Sequence, residues 1–253
     1  MTEGICKLCN QFGQLSYEHV PPKVTFNKKT RFRSVNFLEY VKESNPLETK
    51  YKGKIEQGGV GYYSLCRNCN SFLGTTYVHE FQKYTNSFIE FAKKIDLNAF
   101  ELTMHNFRAL YVIKQIVSMF FSINDETFSK NNRDLAEFVL DTKSFELPER
   151  FRIFNYINTE GQLRYLPFML NGSLTSNNYI LGSEIAFPPL GYVMTVDFNG
   201  KLPYHQEITS FVEYQRTDEI NFDFKIYRLP TYLPFLLDYR DRATIEKAIA
   251  ENS

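Results

Sequence analysis

Hydrophobic residues change their spacing along this chain, and the changes mark out its expected elements. Phe72, Tyr77, Phe81, Tyr84, Phe88, Phe91 and Ile95 fall mostly three or four apart, which predicts one face of a helix. Residues 97 to about 142 read as further helix. Phe107 to Ile123, "FRALYVIKQIVSMFFSI", is apolar almost all round, as a buried helix is. "NDETFSKNNRDLAEFVLD" then predicts a turn and an amphipathic helix from about Asn132, and Asn124 to Glu126 offer a cap and first-turn acids for a short helix before it. From Phe151 the pattern becomes short Tyr/Phe/Ile/Val-rich runs broken by Gly, Pro and Asn. "RFRIFNYI", "RYLPFML", "NYILGSEIAF", "GYVMTVDF", "SFVEYQ" and "FDFKIYRLP" predict strands of one antiparallel unit from 151 to about 229. "FPPLGY" is a rigid turn among them, and a last helix is expected near Ala243 to Ala250.

Before residue 72 no long period exists, and punctuation carries the information instead. Pro21 and Pro22 exclude helix at His19 and favour an extended strand leaving the stretch "YEHVPP". Gly58 to Cys66, "GGVGYYSLC", predicts a turn feeding a short return strand.

Composition adds class and chemistry. The 253 residues are 43% hydrophobic, with 24 Phe, 17 Tyr and no Trp, enough for a core rich in aromatic rings. No secretory leader and no membrane-spanning run is evident, so a cytoplasmic protein is expected. Net charge is zero, which argues against coating nucleic acid by bulk charge. The charge is unevenly spread: residues 1 to 70 hold eleven Lys/Arg against six Asp/Glu. Lys23, Lys28, Lys29, Arg31 and Arg33 follow "YEHVPP", either as a solvated loop or as a strip contacting phosphates.

The four cysteines form two Cys-x-x-Cys pairs, Cys6/Cys9 and Cys66/Cys69, with none left over. Two such knuckles predict one tetrahedral zinc, because each supplies two thiolates. A redox pair or buried free thiols would explain one knuckle and leave the other to coincidence. Joining them closes a loop of more than fifty residues, in which the metal offsets the ordering entropy of a loop-rich element.

Inside that loop lies Glu18-His19, and Asn70 follows the last cysteine. The order Cys-x-x-Cys, acid-His, Cys-x-x-Cys-Asn resembles the HNH, or ββα-metal, nucleases, and most closely their zinc-bound endonuclease VII branch. "EHVPPK" also resembles the acid-His-(Ile/Val)-Pro-Pro-Lys form of bacterial HNH proteins, several of them in anti-phage defence. The resemblance covers residues 6 to about 80. It implies a metal-dependent endonuclease acting on DNA, with RNA as a possible substrate, in which His19 is the general base. Glu18 and Asn70 would be ligands of a catalytic Mg²⁺ or Mn²⁺, and the zinc would be structural. The chain departs from the common pattern in lacking an Asn shortly before the second knuckle, in carrying Asn70 where many members have His, and in using Glu for the more usual Asp. A noncatalytic zinc-stabilised nucleic-acid-binding or adaptor protein is the alternative.

The expected fold class is α+β: a zinc-bound ββα-metal module with its following helix (1–96), a helical connector (97–145) and a β-rich unit (146–253). His79 is read as a helix-surface residue or a contact of the site, and His105 and His205 as ordinary. The acidic β-rich unit carries no catalytic motif and suits substrate selection, oligomerisation or a regulatory or defence-system partner.

Overall fold

The computed structural model describes residues 2–34, 40, 42, 45–47, 54–94, 98–173 and 178–251. It is a mixed α and β protein whose ladders between named strands are all antiparallel. Strands β1 (Glu3–Ile5), β2 (Phe12–His19) and β5 (Gly61–Cys66) make a three-stranded sheet in the order β1-β2-β5. Strands β3 (Phe32–Ser34) and β4 (Lys54–Glu56) pair with each other inside the long loop.

Two helices follow, α1 (Arg67–Thr76) and α2 (Val78–Lys94). The apolar stripe from Phe72 therefore spans two helices that meet at Tyr77. Tyr77, Phe81, Tyr84 and Phe88 are all buried, as a helical face directed at a core requires.

The helical reading of residues 97 to 142 needs correction at its start. Ala99–Phe107 is a strand, β6, in which Phe100, Leu102 and Met104 alternate inward. Its partner is β12 (Ile220–Tyr227), so that run leaves the C-terminal sheet expected of it and joins β6 in a separate two-stranded ladder. Helices α3 (Ala109–Ile123), α4 (Glu126–Asn131) and α5 (Arg133–Leu140) then follow as the pattern predicts. The Asp125 side chain caps α4 by accepting from the Phe128 N–H at 2.8 Å.

Strands β7 (Phe151–Ile157), β8 (Arg164–Ser173), β9 (Asn178–Phe187), β10 (Leu190–Val196) and β11 (Gln206–Glu207) form a five-stranded sheet in the order β11-β7-β10-β9-β8. "SFVEYQ" is no strand; Thr209–Glu213 is a 3₁₀ turn that seats Phe211 in the core. The chain ends in α6 (Arg242–Glu251).

One core cluster runs from Cys6 to Ile226, and α3 lies along it with thirteen of its residues buried. Aromatic rings from distant elements interlock there: Tyr84 lies 5.0 Å from Phe88, 6.3 Å from Phe211 and 6.0 Å from Phe224, mostly edge-on. The Tyr84 hydroxyl accepts from Asn155 at 2.7 Å. The other face of the sheet is covered by a second cluster, in which Phe154, Tyr156 and Val193 pack against Leu202 and Leu229. Among the described residues, no helix is long and apolar enough to cross a membrane.

The N-terminal sheet is fastened to α3 and α5. Lys7 donates to the carbonyls of Ser122 (3.1 Å) and Asn124 (2.6 Å) at the end of α3, where a helix dipole favours a cation. Arg133 donates to the Leu8 carbonyl at 2.9 Å, and the Ser64 and Ser122 hydroxyls bond at 3.0 Å. The cysteine cluster therefore sits on a fixed base.

Candidate functional site

The first knuckle is the turn between β1 and β2. It is closed by bonds from the Cys6 N–H to the Gln11 carbonyl and from the Asn10 N–H to the Cys6 carbonyl, with Asn10 in the left-handed conformation. The second begins on the last residue of β5 and ends in the first turn of α1. Pairing of Leu15 with Cys66 joins the two, and the ligand atoms of all four cysteines lie within 4.8 Å of one another. Cys9 and Cys66 sulfurs are 3.9 Å apart, against about 3.8 Å expected for two thiolates on a tetrahedral zinc with 2.3 Å bonds. The set can hold one zinc ion. Packed this closely, the thiols oppose one another: the contact between Cys6 and Cys69 lowers the pKa of Cys6 and raises that of Cys69. A dication removes that conflict.

Strand β2 carries Glu18 and His19 away from the cysteines, with a bulge in the facing strand β5. The register against β5 slips between Ser16 and Tyr17. The extra residue is Ser64 of β5, which is buried next to the equally buried Leu65; on β2 beyond the slip, Glu18 and Val20 are buried. Tyr17 and His19 share the other face, with their rings 5.1 Å apart.

His19 donates from Nε2 to the Gly58 carbonyl at 3.0 Å. A carbonyl can only accept, so Nε2 carries the proton and Nδ1 of the neutral ring is left as an acceptor. The Gly58-Gly59 turn that offers this carbonyl has positive φ at both residues (99° and 104°), which glycine tolerates. A Cβ on Gly59 would also strike the Asn27 carbonyl and the His19 ring.

Asn27 is the residue that sequence reasoning missed. Fully buried, it donates to the carbonyls of Pro21 and Val60 at 2.7 Å and accepts from the Val60 N–H at 2.7 Å. It thereby ties the chain after Pro22 to the turn that holds His19. The expected strand leaving "YEHVPP" is absent: β2 enters the motif and ends at His19, and the chain coils through Lys23–Asn27. No spacing rule marks Asn27, because its partners are six and thirty-three residues away.

Glu18 is 7% exposed, opposite Tyr62 in the ladder. Burial alone pushes its carboxyl up to about 8, and no hydrogen bond or cation among the described residues offsets that cost. Asn70, in the first turn of α1, donates from Nδ2 to the Ser16 hydroxyl at 3.0 Å and the Tyr17 carbonyl at 3.3 Å. Those contacts fix the amide so that Oδ1 is its free end, beside the backbone of the strand that bears Glu18. An unpartnered buried carboxylate and an oriented amide oxygen are hard oxygen donors of the kind a Mg²⁺ or Mn²⁺ ion takes.

Lys23, Lys28, Lys29 and Arg31 are exposed on the segment that Asn27 anchors, whose Thr30 carbonyl accepts from the Gly59 N–H at 3.2 Å. Arg33 lies on β3, and its side chain falls outside the described residues. His79 is exposed on α2, 3.5 Å from Glu80. His105 is exposed on β6. His205 is enclosed, with Nε2 2.9 Å from the Tyr239 hydroxyl.

Comparison with protein-family models, with curated proteins and with solved structures finds no match to this chain.

Proposed function

We propose that this protein is a metal-dependent endonuclease of the HNH kind that hydrolyses phosphodiester bonds in DNA, with RNA as a second possible substrate. The observation that carries the reading is the bond from His19 Nε2 to the Gly58 carbonyl. It fixes the tautomer and leaves Nδ1 as the group that takes a proton from water. The imidazole lies on the outward face, where a phosphate can approach, and exposed lysines on the segment that Asn27 anchors favour polyanions.

Glu18 and Asn70 would hold a hard divalent cation. When bound, such a cation stabilises charge growing on the phosphate and the leaving oxygen. Asn27 and the Gly58-Gly59 turn keep the base in place, and the cysteine cluster with zinc fixes β2 against α1. A part in bacterial or phage conflict rests on the resemblance of "EHVPPK" alone.

The test is cleavage of supercoiled plasmid in Mg²⁺ or Mn²⁺ by wild type and by His19→Ala at equal zinc content. Nicking that needs the cation and is lost in the variant supports the reading. DNA retardation without nicking in either protein would replace it with a noncatalytic zinc-stabilised binding module.

A further inference from the structure

The outward face of the β2–β5 hairpin is aromatic where a solvated strand pair is ordinarily polar. Tyr63 is 54% exposed and Tyr17 37%, and the two are directly paired across the strands with ring centroids 5.4 Å apart. Tyr17 in turn lies 5.1 Å from the His19 ring. The Tyr17 hydroxyl donates to the Gly59 carbonyl at 3.0 Å, so this ring is held in place before any ligand arrives.

A third ring belongs to the anchored segment. Phe26 has φ 71°, a conformation that costs a bulky residue energy, and its ring is 51% exposed between Lys23 and Lys28, both exposed themselves. Asn27 next to it bonds Val60 at the start of the same hairpin. An exposed ring and exposed cations therefore share the segment that Asn27 ties to the strand pair.

We infer that this face binds an unpaired stretch of nucleic acid, with bases stacking on Tyr63 and Tyr17 and the backbone led past His19 by Lys23, Lys28, Lys29 and Arg31. The inference rests on the nuclease reading and names its substrate class. The chemistry selects against duplex: paired bases are stacked on each other at 3.4 Å per step and have no face to give, whereas unstacked bases offer theirs to aromatic side chains. The cations supply charge complementarity to the strand whatever its sequence.

The test uses the full-length zinc-loaded protein without Mg²⁺ or Mn²⁺, so that binding is read apart from cleavage. Fluorescence anisotropy would be measured with a labelled oligonucleotide of about twenty nucleotides, as single-stranded DNA, single-stranded RNA and DNA duplex. We expect single strands to bind about tenfold tighter than duplex, and Tyr63→Ala to weaken single-strand binding by about tenfold with duplex binding unchanged. Tyr63→Phe should restore binding, and Tyr179→Ala, which removes a ring exposed on β9, should not affect it. A preference between the DNA and RNA strands would name the sugar, and either supports the inference. Duplex bound as tightly as single strand, no binding, or no effect of Tyr63→Ala would overturn it. So would a wild-type dimer that Tyr63→Ala dissociates, which would make the face a protein interface. Plasmid nicking with Tyr63 dispensable would sink this inference and spare the nuclease reading. Strand binding through Tyr63 with no cleavage would do the reverse.

Discussion

Asn27 and Val60 exchange two hydrogen bonds, Nδ2 to carbonyl and N–H to Oδ1, each 2.7 Å long, thirty-three residues apart and shielded from water. A side-chain amide here mimics a strand partner and holds the turn whose Gly58 carbonyl orients His19. Asn27→Ala would leave the Val60 N–H and the Pro21 and Val60 carbonyls without these partners. The expected loss is about 2–4 kcal/mol of stability, measured by urea unfolding. Any cleavage activity should fall further than folding explains, because the imidazole loses its fixed acceptor. Unchanged stability would show that the turn holds itself.

One zinc per chain is expected by elemental analysis. Chelation, or Cys69→Ser, should lower the melting temperature by well over 5 °C, since the ion otherwise offsets the closure of the long loop. A wild-type protein that is metal-free and equally stable would refute the shared site.

Glu18 has the opposite signature. Its carboxyl is raised above the ordinary value of 4.5 to about 8, so the folded state is penalised as pH climbs from the first value toward the second. In buffer free of Mg²⁺ and Mn²⁺ at pH 7, Glu18→Gln should stabilise the protein, by on the order of 3 kcal/mol. Cation-dependent cleavage should be abolished by the same change. A destabilised variant would mean that the carboxylate has a structural partner.

His205 provides a separate pH dependence. Enclosure, with the Arg164 cation adding to it, holds its pKa at about 3, far below the ordinary 6.5. Stability from keeping the ring neutral is complete above pH 6.5 and is lost as pH falls toward 3, at about 1.4 kcal/mol per unit. Tyr239 donates its hydroxyl proton to Glu184 at 2.8 Å, so His205 Nε2 donates to Tyr239 and Nδ1 is left buried without a partner. His205→Phe should flatten the acid slope between pH 6 and 4, measured by denaturation at several pH values.

Legibility in the sequence followed the range over which each signal acts. Cysteine pairs, the stripe from Phe72 and the apolar α3 are local patterns, and they correspond to the cysteine cluster and the helices. The alternation of Phe100, Leu102 and Met104 is only three positions long and adjoins a buried helix, so it merged into the helical reading. What makes it a strand is β12, with Thr103 bonding Asp223 at 2.6 Å across 120 residues. Likewise the bulge at Ser64 exists only in the pairing of β5 with β2, and no residue type in β5 announces it.

The β6–β12 ladder also bears on how the chain is made. During synthesis β6 emerges well over a hundred residues ahead of its partner and must wait with an unpaired edge and three apolar side chains uncovered. A ribosome that stalls short of residue 220 would release a sticky fragment, and a truncation intended to free the N-terminal sheet would create the same hazard. Expression of such fragments should therefore yield aggregates, or chaperone-bound chains, where the full-length product is well behaved.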